Sequence, residues 1–117
     1  MAVTPAQVAA ALRRREQARR VAARSRAEAI VARLPDARRI LIDVHGARRV
    51  TLFGSLASGD PLADSDVDLA VDGLRPAAYF AALADVTATL ECTVDLVRTE
   101  SAPASLLERI AVEGRRL

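Results

Sequence analysis

Apolar residues recur along this chain in two rhythms, a helical one near both ends and a strand-like one in the middle. Thr4 can cap a helix with Pro5 at its first position. Nothing from there to Leu34 would stop it, since Ala, Arg, Gln and Glu are good helix formers. The apolar positions are uneven: Val8 and Leu12 form one short stripe and Ile30, Val31 and Leu34 another, while Arg13 to Arg20 are polar almost all round. Such a helix bridges solvent or rests on a partner over its middle, so its first turns are expected to project from the domain. Pro35 is expected to interrupt it. Asp36 then starts a second helix carrying Ile40, Leu41 and Val44, ended by His45 and Gly46, with the glycine suited to the left-handed position.

Beyond Gly46 the rhythm changes. Val50-Thr51-Leu52-Phe53 reads as a buried strand, followed over residues 54–65 by a loop rich in Gly, Ser, Asp and Pro with one helical turn near Leu56–Gly59. Asp60, Asp64 and Asp72 read as turn formers. Val67-Asp68-Leu69-Ala70-Val71 is a second strand, and Thr93-Val94-Asp95-Leu96-Val97 a third. Between them Pro76 opens a helix to about Leu90, with Phe80, Leu83, Val86, Thr87 and Leu90 along one side. Pro103 opens a last helix with Leu106, Leu107, Ile110 and Ala111 inward. The order α-α-β-β-α-β-α predicts an α/β fold, a small sheet flanked by helices with a long N-terminal helix.

A chain of 117 residues fits one domain, and 51% hydrophobic residues can fill its core. Aromatics are only 3%, so that core is built from Val, Leu, Ile and Ala; it is thin, and a partner surface can add to it. The net charge of +2 hides an asymmetry: residues 1–49 hold 12 Arg against 4 acids, and residues 50–117 hold 5 Arg against 11 acids. Every basic residue of the 17 is arginine, so the basic arm carries a compositional bias as well as a charge. It reads as a solvated helix, a dock for an acidic partner or a nucleic-acid contact, the last lacking interleaved aromatics to stack bases. Cys92 is alone, which excludes an internal disulfide and points to a buried thiol in a reducing compartment. No segment resembles a signal sequence or a membrane span, so a cytoplasmic location is expected.

The chemistry gathers on the second and third strands. Asp66 and Asp68 fall on one face by alternation, about 6.6 Å apart. Carboxylates so placed repel each other unless a cation neutralises them, and Mg²⁺ suits them because it completes its shell with water and phosphate oxygens. Asp95, inside Thr-Val-Asp-Leu-Val, is costly without a cation or hydrogen bonds. If the two strands are neighbours, it completes a three-carboxylate site and could hold a second metal or take a proton from an attacking hydroxyl. Gly54-Ser55 directly follows the first strand, where a glycine lets the backbone approach a phosphate and the serine can donate to it.

Gly54-Ser55, ten residues, then Asp66-x-Asp68 with a later strand acid at Asp95, resembles the pattern of the polymerase-beta-like nucleotidyltransferase superfamily. The short length makes the chain similar to its minimal nucleotidyltransferase (MNT) proteins, the antitoxins of HEPN/MNT toxin–antitoxin pairs. The resemblance covers about residues 36–117 and separates a minimal nucleotidyltransferase domain at 35–117 from an Arg-rich arm at 1–34. It implies two Mg²⁺ ions on Asp66 and Asp68 with Asp95 joining one, and a triphosphate tail held by Gly54 and Ser55, with Ser65 beside the carboxylates in the same motif. It also implies ATP or another NTP as substrate and a hydroxyl on a HEPN toxin as acceptor of AMP. Antitoxin members often read G-S-x-A-R-G, whereas this chain has Ser58 at the arginine's place. The alternative function is an antitoxin of weak or absent catalysis that masks its partner by stoichiometric binding.

Overall fold

The computed structural model describes residues 2–59 and 67–117. The N-terminal helix α1 (Pro5–Arg39) opens with a reciprocal cap: Thr4 Oγ accepts from the Gln7 N–H while the Gln7 side chain accepts from the Thr4 N–H. Contrary to the expectation from sequence, α1 does not break at Pro35, and no second helix starts at Asp36. Pro35 and Val31 are both exposed, so water can take the Val31 carbonyl that the missing N–H leaves free. On the opposite side Leu34, Ala37 and Leu41 are buried against the sheet and hold the two halves in line. The helix then widens into a π-type turn over Ile40–Val44, where His45 N–H reaches back to the Ile40 carbonyl at 3.2 Å. Gly46, at φ +80°, takes the left-handed position expected of it. His45 Nε2 lies 2.6 Å from Asp85 of the next long helix and ties this end of α1 to it, a pairing that no sequence pattern announced.

Four strands follow: β1 (Arg49–Phe53), β2 (Val67–Asp72), β3 (Val94–Arg98) and β4 (Arg115–Arg116), in the order β3-β2-β1-β4. β1 runs antiparallel to both β2 and β4, while β2 and β3 are parallel. Only three strands were expected. β4 consists of two exposed arginines that pair with Thr51 and Leu52, so no apolar signal marks it. The short helix α2 (Ser55–Ser58) links β1 towards β2, α3 (Tyr79–Leu90) joins β2 to β3, and α4 (Ala104–Glu113) precedes β4.

Alternation along the strands creates two cores. Val50, Leu52, Val67, Leu69, Val71, Val94 and Leu96 form the larger with the buried faces of α1 and α3. Phe53, Ala70 and Ile110 form the smaller beneath α4, joined by half-buried Val97 and Leu106. Three expected core positions are corrected here. Phe80 is 80% exposed at the start of α3, and Leu107 and Ala111 face water because α4 covers only that small second cluster. Val8 and Leu12 are exposed, and the first buried residue of α1 is Ala23, so the early turns project as expected. The molecule measures 64 × 28 × 19 Å, its length set by that helix. Among the described residues no helix is long and apolar enough to cross a membrane.

The turn after β2 is fixed by charge. Gly73 sits at φ +81° and its N–H donates to the Glu100 carboxylate. That bond chiefly holds the Glu100 carboxyl below its ordinary value, helped by a backbone bond at Glu100 itself and by the nearby Arg98 and Arg48. A lowered folded value means this stabilisation is complete above the ordinary glutamate range and is lost as pH falls through the folded value. Glu100→Gln should therefore flatten the acid limb of the stability–pH profile, as measured by denaturant titration at a series of pH values. Leu41→Ala, at a fully buried position, should cost about 2–5 kcal/mol. Removing residues 1–20 should shift the thermal midpoint by no more than about 3 °C, since those residues bury nothing in the core.

Candidate active site

β2 lies between β1 and β3, and its register sets Asp68 opposite Phe53 on one side and Asp95 on the other. Register partners share a face, so the two acids stand side by side on neighbouring strands whose backbones lie about 4.8 Å apart. Asp68 is half-buried and Asp95 exposed. Their face is the one α4 covers, and they occupy its open end, next to the small cluster of Phe53, Ala70 and Ile110. The neighbouring strands and the shared face expected from the sequence are therefore present for Asp68 and Asp95. Asp66 and Ser65 lie outside the described residues, as do the turn formers expected at Asp60 and Asp64.

Gly54 explains how the carboxylate fits. It leaves β1 at φ +77° and ψ −156°, a conformation available in practice to glycine. A Cβ at this position would overlap Asp68 Oδ2 and sit 3.0 Å from its Cγ. The backbone thus passes against the acid, leaving space that any side chain would fill. Ser55 follows at the start of α2, half-buried, and its carbonyl accepts from the Ser58 hydroxyl at 2.9 Å. Ser58, at the position where related motifs carry arginine, is spent on closing this turn.

A cation stands on the same face that sequence reasoning did not single out. The Arg109 guanidinium of α4 lies over the Phe53 ring, 5.9 Å from its centroid, and its Nε is 3.1 Å from Glu113 Oε2. Only the fold brings it near Phe53, which pairs with Asp68; no local pattern could have found it. Asp72, expected as a turn residue, closes β2 instead, accepting from the Thr99 hydroxyl at 2.8 Å with Arg49 at 3.6 Å.

Hard oxygen donors set side by side, beside a glycine cradle, fit Mg²⁺. Among the described residues Asp68 and Asp95 are not joined by a third metal-ligating side chain. Gly54→Ala should displace the Asp68 carboxylate and cut nucleotide affinity by about tenfold or more, whereas Gly59→Ala, left-handed at φ +83° but with nothing near its Cβ, should cost about 1 kcal/mol of stability and change that affinity far less. Titration calorimetry with Mg-ATP on both variants measures the difference.

The family model described as Polymerase beta, Nucleotidyltransferase matches residues 38–117. No curated protein matches the chain significantly. Among solved structures, one described as a minimal nucleotidyltransferase is 31% identical, over 80% of this chain and 91% of that one, with a TM-score of 0.57. A chain of a mutant MntA–HpeT toxin–antitoxin structure is 29% identical, over 68% of this chain and 66% of that one, with a TM-score of 0.59. A toxin–antitoxin structure with AMP-PNP is 27% identical over 65% of each chain, with a TM-score of 0.57. This chain spans just under two thirds of the length of those toxin–antitoxin chains. The family match covers β1 to β4, including the paired carboxylates and their glycine cradle, and the chain belongs to the polymerase beta nucleotidyltransferase family.

Proposed function

We propose that this chain is a Mg²⁺-dependent nucleotidyltransferase that moves AMP from ATP to a hydroxyl of a HEPN-type toxin, and so acts as a cytoplasmic antitoxin. The observation that carries this reading is the pairing of Asp68 with Asp95 beside Gly54. The toxin–antitoxin neighbours, one of them solved with AMP-PNP, support it.

In this reading Asp66 and Asp68 hold two Mg²⁺ ions and Asp95 shares one of them. Bound there, the ions neutralise the triphosphate and orient its α-phosphate. Gly54 and Ser55 hold the triphosphate tail, with Ser65 beside the carboxylates, and Arg109 adds positive charge from α4. The acceptor oxygen attacks the α-phosphorus in line; its bond to phosphorus forms as the bond to the pyrophosphate oxygen breaks, and the hydroxyl proton passes to the Asp95 carboxylate. Catalysis of this kind is positioning and charge neutralisation, which a small rigid sheet edge can supply. The transferase unit in this reading is residues 35–117, and the arm at 1–34 packs only its last turns, through Ile30 and Leu34, into that unit's core while its early turns project.

The test is intact-mass analysis of a HEPN-type toxin incubated with ATP, Mg²⁺ and a substoichiometric amount of this chain. The toxin should gain nucleotide mass. Asp68→Asn should reduce the rate by about a hundredfold or more, and Asp95→Ala should impair transfer more than nucleotide binding. No added mass, together with full neutralisation at equimolar protein, would favour the masking antitoxin instead.

A further inference from the structure

An apolar cavity of about 500 Å³ wraps the outer edge of β3. Its walls include Tyr79 and Phe80 at the start of α3, Leu96 and Val97 of β3, and Pro103 and Leu106 at the start of α4. β3 is the last strand on its side of the sheet. The Thr93 carbonyl accepts from the Val67 N–H, so Thr93, Asp95 and Val97 turn their backbone groups towards β2. Val94, Leu96 and Arg98 turn theirs to the open edge. There the Leu96 carbonyl accepts from the Tyr79 hydroxyl at 2.6 Å, which fixes the floor of the cavity and holds the start of α3 against the strand.

Phe80 stands at the rim. Its ring packs edge-on against Tyr79, with centroids 5.2 Å apart, yet the residue is 80% exposed. A phenyl ring braced by a neighbour and presented to water beside an apolar cavity has the form of a binding anchor. The Arg98 guanidinium, also in the cavity wall, donates to the Leu74 carbonyl and the Ser101 hydroxyl, which holds it at one end of the groove. Asp95 lies two residues from Val97 on the same strand and face, about 7 Å away. The cavity therefore ends, at Val97, one same-face position along the strand from Asp95.

We propose that this groove docks the extended segment of the partner protein that presents the acceptor hydroxyl, with Phe80 as its anchor. The assignment rests on the transferase reading for its choice of partner. The groove's Val97 wall stands next to Asp95 on one face of β3, so a segment lying along the strand past Val97 delivers a side chain to the carboxylates while its apolar neighbours fill the cavity and cover Phe80.

The experiment measures binding to the same HEPN-type toxin by calorimetry without nucleotide, and then transfer with Mg-ATP. Phe80→Asp adds a charge at the rim, and Ala102→Trp fills the cavity from its half-buried wall. Each should weaken partner binding by about tenfold or more and raise KM for the partner, with Mg-ATP affinity and the circular dichroism spectrum unchanged. Val112→Asp, on α4 at a position 86% exposed and outside the groove, should stay within about twofold of wild type. Wild-type affinity in both groove variants, or no binding of the HEPN protein by wild type, overturns the proposal. A wild-type protein that binds through the groove but adds no nucleotide would sink the transferase reading alone.

Discussion

The pairing register of β2 is the constraint on which everything else depends. Val67, Leu69 and Val71 point into the core beneath α1 and α3, so Asp68 must point the other way, towards α4 and the open end of the sheet. A slip of one residue would drive the carboxylate into that core and bring three apolar side chains out. The hydrophobic energy that holds the sheet together is thus the same energy that fixes the acid's direction. Because β3 joins in parallel, Asp95 inherits the position beside Asp68 with no further device. A site of two repelling carboxylates is held together here by apolar residues one position away on either side.

Period-two alternation made the strands readable, and acids placed inside it made the site readable. Asp68 and Asp95 each interrupt an apolar run, which marked them as candidates from the sequence, while their standing side by side depended on the two strands being neighbours. Gly54 was legible as a close-approach position, although what approaches it, the Asp68 carboxylate, is a tertiary fact. The remaining features depended on contacts that no local pattern encodes. Pro35 is a helix breaker by its chemistry, but its effect depends on which side of the helix is wet. The two arginines of β4 become a strand only because β1 offers an edge, and Arg109 approaches Phe53 only because α4 folds back over the sheet. Phe80 looked like core because it is apolar at a helical spacing; it is exposed because Tyr79 and Ala82 take the inward side of the first turn of α3 and leave Phe80 facing water.

The two edges of the sheet are treated differently. Beside β1 the chain closes its own edge: β4 pairs there, the Leu117 N–H donates to the Val50 carbonyl, and Arg38 of α1 donates to the Leu117 carbonyl. Beside β3, among the described residues, a tyrosine hydroxyl reaches in. One side is sealed by backbone and the other is capped at a single carbonyl, so the sheet has a direction in which it can accept company. That direction is also the one in which the carboxylates lie.

The unbroken passage of α1 through Pro35 gives the molecule a handle. Its inner turns are clamped by Leu34, Ala37 and Leu41, while the turns before Ala23 reach outward by about 30 Å at the rise of an α-helix. A rod fixed at one end magnifies angle into displacement: a tilt of ~5° at the sheet sweeps the tip through ~3 Å. A break at Pro35 would have made the tip a tether, free to wander without moving the domain. As built, its position reports the attitude of the sheet, and a force applied to its arginines bears as torque on the elements that carry Asp68 and Asp95.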